Sequence, residues 1–202
     1  MTTPSKVMII RHGEKPTIKH QPPFGVTADG EQDWESLTVR GWLRAGALEA
    51  LFAPSNGPPP KPALAKPSLI YASKPRDPGV VAPEDDDSSK SKRPLQTVTP
   101  LASKLKIAPN LGYGKGDEAA LVKDVLAQAG AILICWQHEC IYEIARNLVG
   151  TNPPERAIPS KWPGDRFDLV WVLESLSPGA GRWIFTQVPQ QLLVDDKDTV
   201  IT

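Results

Sequence analysis

Two of the three histidines, His12 and His138, stand where a short apolar run gives way abruptly to polar residues. Val7-Met8-Ile9-Ile10 precedes Arg11-His12-Gly13-Glu14, and Ala131-Ile132-Leu133-Ile134-Cys135-Trp136 precedes Gln137-His138-Glu139. Runs of this length and type read as buried strands running into loops, so both imidazoles fall at strand C-terminal ends, where open α/β sheets gather their ligands. Arg11 and Arg93 can converge on the same place. A phosphoryl group in transfer spreads charge over its equatorial oxygens, and guanidinium forks match that geometry better than ammonium groups. An imidazole with one free nitrogen can accept the group covalently, dividing one hard displacement into two easier ones. A neighbouring carboxylic acid must then protonate the leaving oxygen.

For these groups to meet, the strands that carry them must lie side by side. Thr38 can cap a helix through Gly41, Arg44, Ala47, Leu48 and Leu51 that ends near Phe52-Ala53-Pro54. Residues 54–67, with Pro58-Pro59-Pro60, read as an irregular connector into a second strand over 68–72. Pro94 suits a first helical turn, and Val98, Leu101, Ala102 and Leu105 form the apolar stripe of a second helix. The glycine-bearing turn at 112–116 leads to a third helix from Glu118 through Leu121, Val125 and Leu126, which should stop at Gly130. A fourth helix follows over 141–149. Residues 168–173 and 182–188 read as late strands, antiparallel at the sheet's edge. Strands alternating with helices predict a three-layer α/β/α sandwich with a mostly parallel central sheet.

The bulk properties bound the rest. A chain of 202 residues suits one domain spanning 1–202, with irregular insertions near 54–67 and 74–92. Acidic and basic residues balance at 23 each, leaving no global field to attract nucleic acid or an anionic membrane, so a phosphate site must be built locally. Residues 74–92, including Glu84-Asp85-Asp86-Asp87, carry little apolar surface and read as a mobile surface loop. Cys135 and Cys140 lack metal-site spacing and further ligands, so a reduced thiol pair is expected, with no metal and no cofactor. His20, between Lys19 and Gln21-Pro22-Pro23, reads as a solvated loop residue, and Trp42, Trp136 and Trp171 as packing residues. The first residues hold too short an apolar run for a signal peptide, and no segment is long enough to span a bilayer; a soluble, cytoplasmic protein is expected. Oligomeric state is not legible in the sequence.

Arg11-His12-Gly13-Glu14 after a strand resembles the signature of the histidine phosphatase superfamily, which includes the cofactor-dependent phosphoglycerate mutases. Leu37-Thr38-Val39-Arg40-Gly41-Trp42-Leu43-Arg44-Ala45 resembles that family's first helix. Arg93-Pro94-Leu95-Gln96-Thr97 is similar to the arginine-bearing turn that opens its second, and Ile134-Cys135-Trp136-Gln137-His138 to its second-histidine strand. The likeness runs in order from residue 7 to residue 149. It implies that His12 is the nucleophile and that Arg11, Arg93 and His138 bind the phosphate. It also implies a carboxylate donor: Glu118, because the mutase-like branch carries its acid just after a glycine at the start of a helix, or alternatively Glu139, because the acid phosphatase branch places a carboxylate directly after the second histidine. Two departures stand out. An insertion separates Tyr71-Ala72-Ser73 from Arg93, which makes Arg76 the fallback phosphate ligand, and Glu139 replaces a small residue common in the mutase branch.

The resemblance thus implies a metal-independent phosphatase that hydrolyses a phosphomonoester, on a small molecule or a phosphoprotein, through a phosphohistidine intermediate. One alternative is a phosphoglycerate mutase-like phosphotransferase, disfavoured because no substantial segment after the last strand is available to shield the intermediate from water. The other is a non-catalytic phosphate-binding module, which has no need of a nucleophilic imidazole.

Overall fold

Strands whose alternate positions are apolar on both sides must be covered on both faces, and this governs the architecture. The computed structural model describes residues 3–76, 90–152, 154, 156–176 and 181–202. In β1 (Pro4–Arg11), Val7 and Ile9 face one layer while Met8 and Ile10 face the other. β3 (Gly130–Trp136) and β4 (Leu169–Ser175) divide in the same way. The first layer is closed by α3 (Glu118–Leu126) and α4 (His138–Val149), which bring Leu121, Val125, Ile141 and Ile144 onto the sheet. The second is closed by α1 (Val39–Phe52) and α2 (Arg93–Leu105) through Leu48, Phe52, Val98 and Leu101.

With β2 (Leu69–Ala72) and β5 (Trp183–Pro189), the strands form one sheet in the order β2-β3-β1-β4-β5. β1 and β2 each pair with β3 in parallel, whereas β4 is antiparallel to both β1 and β5. The three-layer α/β/α arrangement with a mostly parallel sheet is therefore the one observed, and the late strands supply its antiparallel part. Parallel pairing has a consequence for chemistry, since the C-terminal ends of β1, β2 and β3 come out along one edge. Register places Arg11 beside Trp136 and Ala72 beside Cys135.

Two boundaries differ from the sequence expectation. The third helix stops at Leu126, and Gly130, at φ 85°, instead opens β3. α4 begins at His138 rather than at residue 141, so the second histidine sits in the helix's first turn. Thr38 caps α1 as expected, its hydroxyl accepting from the Gly41 N–H at 3.2 Å. The loop expected over 74–92 lies mainly outside the described residues. Cys135 and Cys140 are free thiols, His20 is exposed, and Trp136 and Trp171 are fully buried. Among the described residues no helix is long and apolar enough to cross a membrane.

Candidate active site

The β1–β3 pairing extends one residue past the strand, because the His12 N–H donates to the Trp136 carbonyl at 3.2 Å. That bond fixes where the imidazole emerges. His12 is only 3 % exposed, and its Nδ1 lies 2.7 Å from the Gly13 carbonyl oxygen. A carbonyl can only accept, so Nδ1 carries the proton and Nε2 keeps its lone pair. Burial, followed by the charge of Arg11, holds the imidazole well below its ordinary pKa, and it is neutral.

Arg11, 1 % exposed, faces the same space. Its Nη1 donates to the Gly164 carbonyl, and the Phe167 ring stacks over the guanidinium at 3.8 Å. Its Nε and Nη2 are buried without a hydrogen-bond partner among the described residues. Unmet guanidinium donors in a buried position are costly, and an anion is the group that satisfies them. Burial brings the Arg11 pKa down to about 10, against the opposing pull of Glu139, Asp165 and Glu14.

Arg93 comes from the first turn of α2, which is latched to the His12 turn by one hydroxyl. The Gly13 N–H donates to Thr97 Oγ1 at 2.8 Å, and that hydroxyl donates to the Arg93 carbonyl at 2.7 Å. The Arg93 guanidinium is 5 % exposed, donates to the Ser36 carbonyl at 3.3 Å and acts electrostatically on both His12 and Arg11. The structure thus brings Arg93, on the far side of the insertion, to the site.

His138 reaches the site from α4. Its Nε2 lies 3.5 Å from where a Cβ on Gly164 would stand, beside the carbonyl that Arg11 uses, and its Nδ1 pairs with Glu139 at 2.8 Å. Burial raises the Glu139 pKa, but the His138 hydrogen bond and the ion pair with Lys115 outweigh it and hold the carboxylate well below its ordinary range. Glu118 is set apart. It is 3 % exposed, accepts from the Gly116 N–H at 3.1 Å and from the Trp136 indole at 2.9 Å, and is not among the charges acting most strongly on His12 or Arg11.

Three further contributions escape the sequence reading. Lys15, three residues after His12, is half-buried, and burial together with Arg93 and Arg11 lowers its pKa. Read as sequence it is an ordinary solvated lysine. Residues 162–168, braced by the Trp162 indole donating to the Arg166 carbonyl at 2.8 Å, form the wall that carries Gly164 and Phe167; a Trp-Pro-Gly turn has no periodicity to betray it. Arg44 in α1 is a hub, bonding Glu14 at 2.8 Å and Asp196 at 2.7 Å while itself 2 % exposed, so it pins the turn after His12 to the C-terminal stretch. Among the described residues no group of three or more His, Cys, Asp or Glu side chains is arranged to hold a metal.

No protein-family model matches this chain, and no curated protein matches it in sequence. Among solved structures 15 chains match. One is a crystal structure from Agrobacterium tumefaciens provisionally assigned as the phosphohistidine phosphatase SixA: it is 14 % identical, the match covers 91 % of this chain and 96 % of that one, and the TM-score is 0.51. At that identity the likeness is one of fold.

Proposed function

We propose that this chain is a metal-independent histidine phosphatase that hydrolyses a phosphomonoester through a phosphohistidine intermediate on His12. The observation that carries the reading is the pair of unmet, buried Arg11 donors beside a neutral imidazole whose Nε2 is unprotonated. An anion meets the donors, and the imidazole attacks it. In this mechanism Arg11, Arg93 and His138 hold the phosphoryl oxygens. Nε2 of His12 forms a bond to phosphorus as the bond to the leaving oxygen breaks, and a carboxylic acid delivers a proton to that oxygen. Water then attacks the phosphorus, the same carboxylate takes its proton, and phosphate departs with His12 restored. The Gly13 carbonyl keeps the proton on Nδ1 throughout.

Glu118 keeps the role of donor in this proposal on the strength of its place after a glycine at the start of a helix, as the family resemblance implies, while Glu139 is held ionised by His138 and Lys115. The substrate is a phosphorylated small molecule or a phosphoprotein.

Acid- and base-quenched turnover read by mass spectrometry tests the mechanism: an acid-labile phosphate on the His12 peptide is expected, and full turnover by His12→Ala would remove His12 from the reaction. The donor is read in the same assay. Glu118→Gln should lower turnover of an alkyl phosphate by about two to four orders of magnitude and of a nitrophenyl ester far less. That pattern in Glu139→Gln instead transfers the role to Glu139.

A further inference from the structure

Beside the anion site lies a cavity of about 690 Å³, large enough to enclose a small organic group. Three of its lining residues tie it to the phosphate position. Gly164 offers its carbonyl to Arg11, Phe167 stacks on the Arg11 guanidinium with its centroid 6.2 Å from that of His12, and Lys15 lies within the field of both Arg11 and Arg93. A group attached to a phosphate held by Arg11 has this cavity as its neighbour.

The walls are Phe24, Val26, Val39 and Phe167, and the polar side chains among them are mostly committed elsewhere. Glu14 is held by Arg44 at 2.8 Å and by Arg40 at 3.2 Å. The Thr38 hydroxyl is shared between the Glu14 carbonyl and the Gly41 N–H, and Arg40 also donates to the Val194 carbonyl. A polyol placed here would give up water for walls that offer few free partners, stranding its hydroxyls. A flat apolar group loses nothing of the kind and gains contact with Phe24 and Phe167.

Resting on the phosphatase reading above, we propose that this cavity is the leaving-group pocket and that it takes an aromatic group, so that the substrate is a small aromatic phosphomonoester rather than a sugar or polyol phosphate. Phe167, stacked on Arg11, and Lys15, in the field of Arg11 and Arg93, line the pocket next to the phosphate position, and Phe24 and Val39 line it with them.

The test separates pocket from chemistry. Binding of 1-naphthylmethylphosphonate and of methylphosphonate, neither of which can be hydrolysed, is compared by calorimetry, alongside turnover of 1-naphthylmethyl phosphate and glycerol 1-phosphate, whose alcohols leave with similar difficulty. Burying the ring should tighten phosphonate binding about 10- to 100-fold. The ratio should fall toward one in Phe24→Ala and in Val39→Ser, the latter at a position 62 % exposed and so tolerant of change. Equal affinities for the two phosphonates would overturn the pocket assignment even if both esters are hydrolysed. A naphthyl preference in binding without turnover of either ester would instead uphold the pocket and overturn the phosphatase reading.

Discussion

His12 is kept uncharged at the expense of acid stability. Its folded pKa is depressed, by burial first and by Arg11 second, below the value of about 6.5 that it recovers in the unfolded chain. Below that pH the unfolded state binds the extra proton and the native state does not, so unfolding free energy rises with pH through this window and is lost as pH falls. Urea titrations of the wild type and His12→Asn between pH 7.5 and 5 should show the wild type losing more stability than the variant. His20 and His138 remain in both proteins, and the difference isolates His12; parallel curves would mean that the imidazole is not held neutral. Arg11 shows the same economy in the opposite charge: its buried, half-met guanidinium is poised for an anion rather than for structure. The motif around residues 11–14 announced both side chains. It was silent on Lys15, whose role comes from two arginines distant or buried in the fold, and on Phe167, which reaches Arg11 only because the chain returns after α4.

The turn after His12 is shaped by how closely α1 approaches it. A Cβ added to Gly41 would stand 2.5 Å from the Glu14 carbonyl oxygen, while one added to Gly46, in the next turn of the same helix, meets nothing within 4 Å. Gly41→Ala should therefore destabilise by about 1–3 kcal/mol through overpacking and lower turnover by shifting the His12 turn. Gly46→Ala should stabilise by about 0.5–1 kcal/mol, the ordinary gain of alanine over glycine inside a helix. Denaturant midpoints check both, and equal effects would mean that the helix does not rest on the turn. The same contrast shows what was legible. Local signals placed every strand and helix: the Thr38 cap, proline at the start of α2, and apolar runs ending at Arg11 and Trp136. Strand order is set by non-local packing, so β4 beside β1 could be read only as a late, antiparallel strand. α4 begins three residues before its apolar periodicity because His138-Glu139-Cys140 adds none; the first turn is instead carried by backbone hydrogen bonding.

With a net charge of zero, the molecule has no overall field that gathers phosphate, and it depends on a site assembled from far-apart segments. Arg11, Arg93 and His138 stand on three different elements, and the unfolded chain has no such constellation. An anion that binds only the folded state stabilises it by about 2.7 kcal/mol at one hundred times its dissociation constant. Inorganic phosphate should then raise the thermal midpoint, with chloride at matched ionic strength giving no comparable rise. Arg11→Met discriminates between a site built for binding and one that also holds the fold. The guanidinium is buried, its Nε and Nη2 lack partners among the described residues, and its bonds on the other side go to backbone carbonyls of residues 163–166. Met removes the cost of burying unmet donors but leaves the carbonyls of Pro163, Gly164 and Arg166 without this donor, two effects of opposite sign and similar size. Without phosphate, Arg11→Met should stay within about 1 kcal/mol of the wild type, and in phosphate its midpoint should not move. A variant that unfolds outright would show that Arg11 is a structural residue first. One that still gains stability from phosphate would place the anion elsewhere in the molecule.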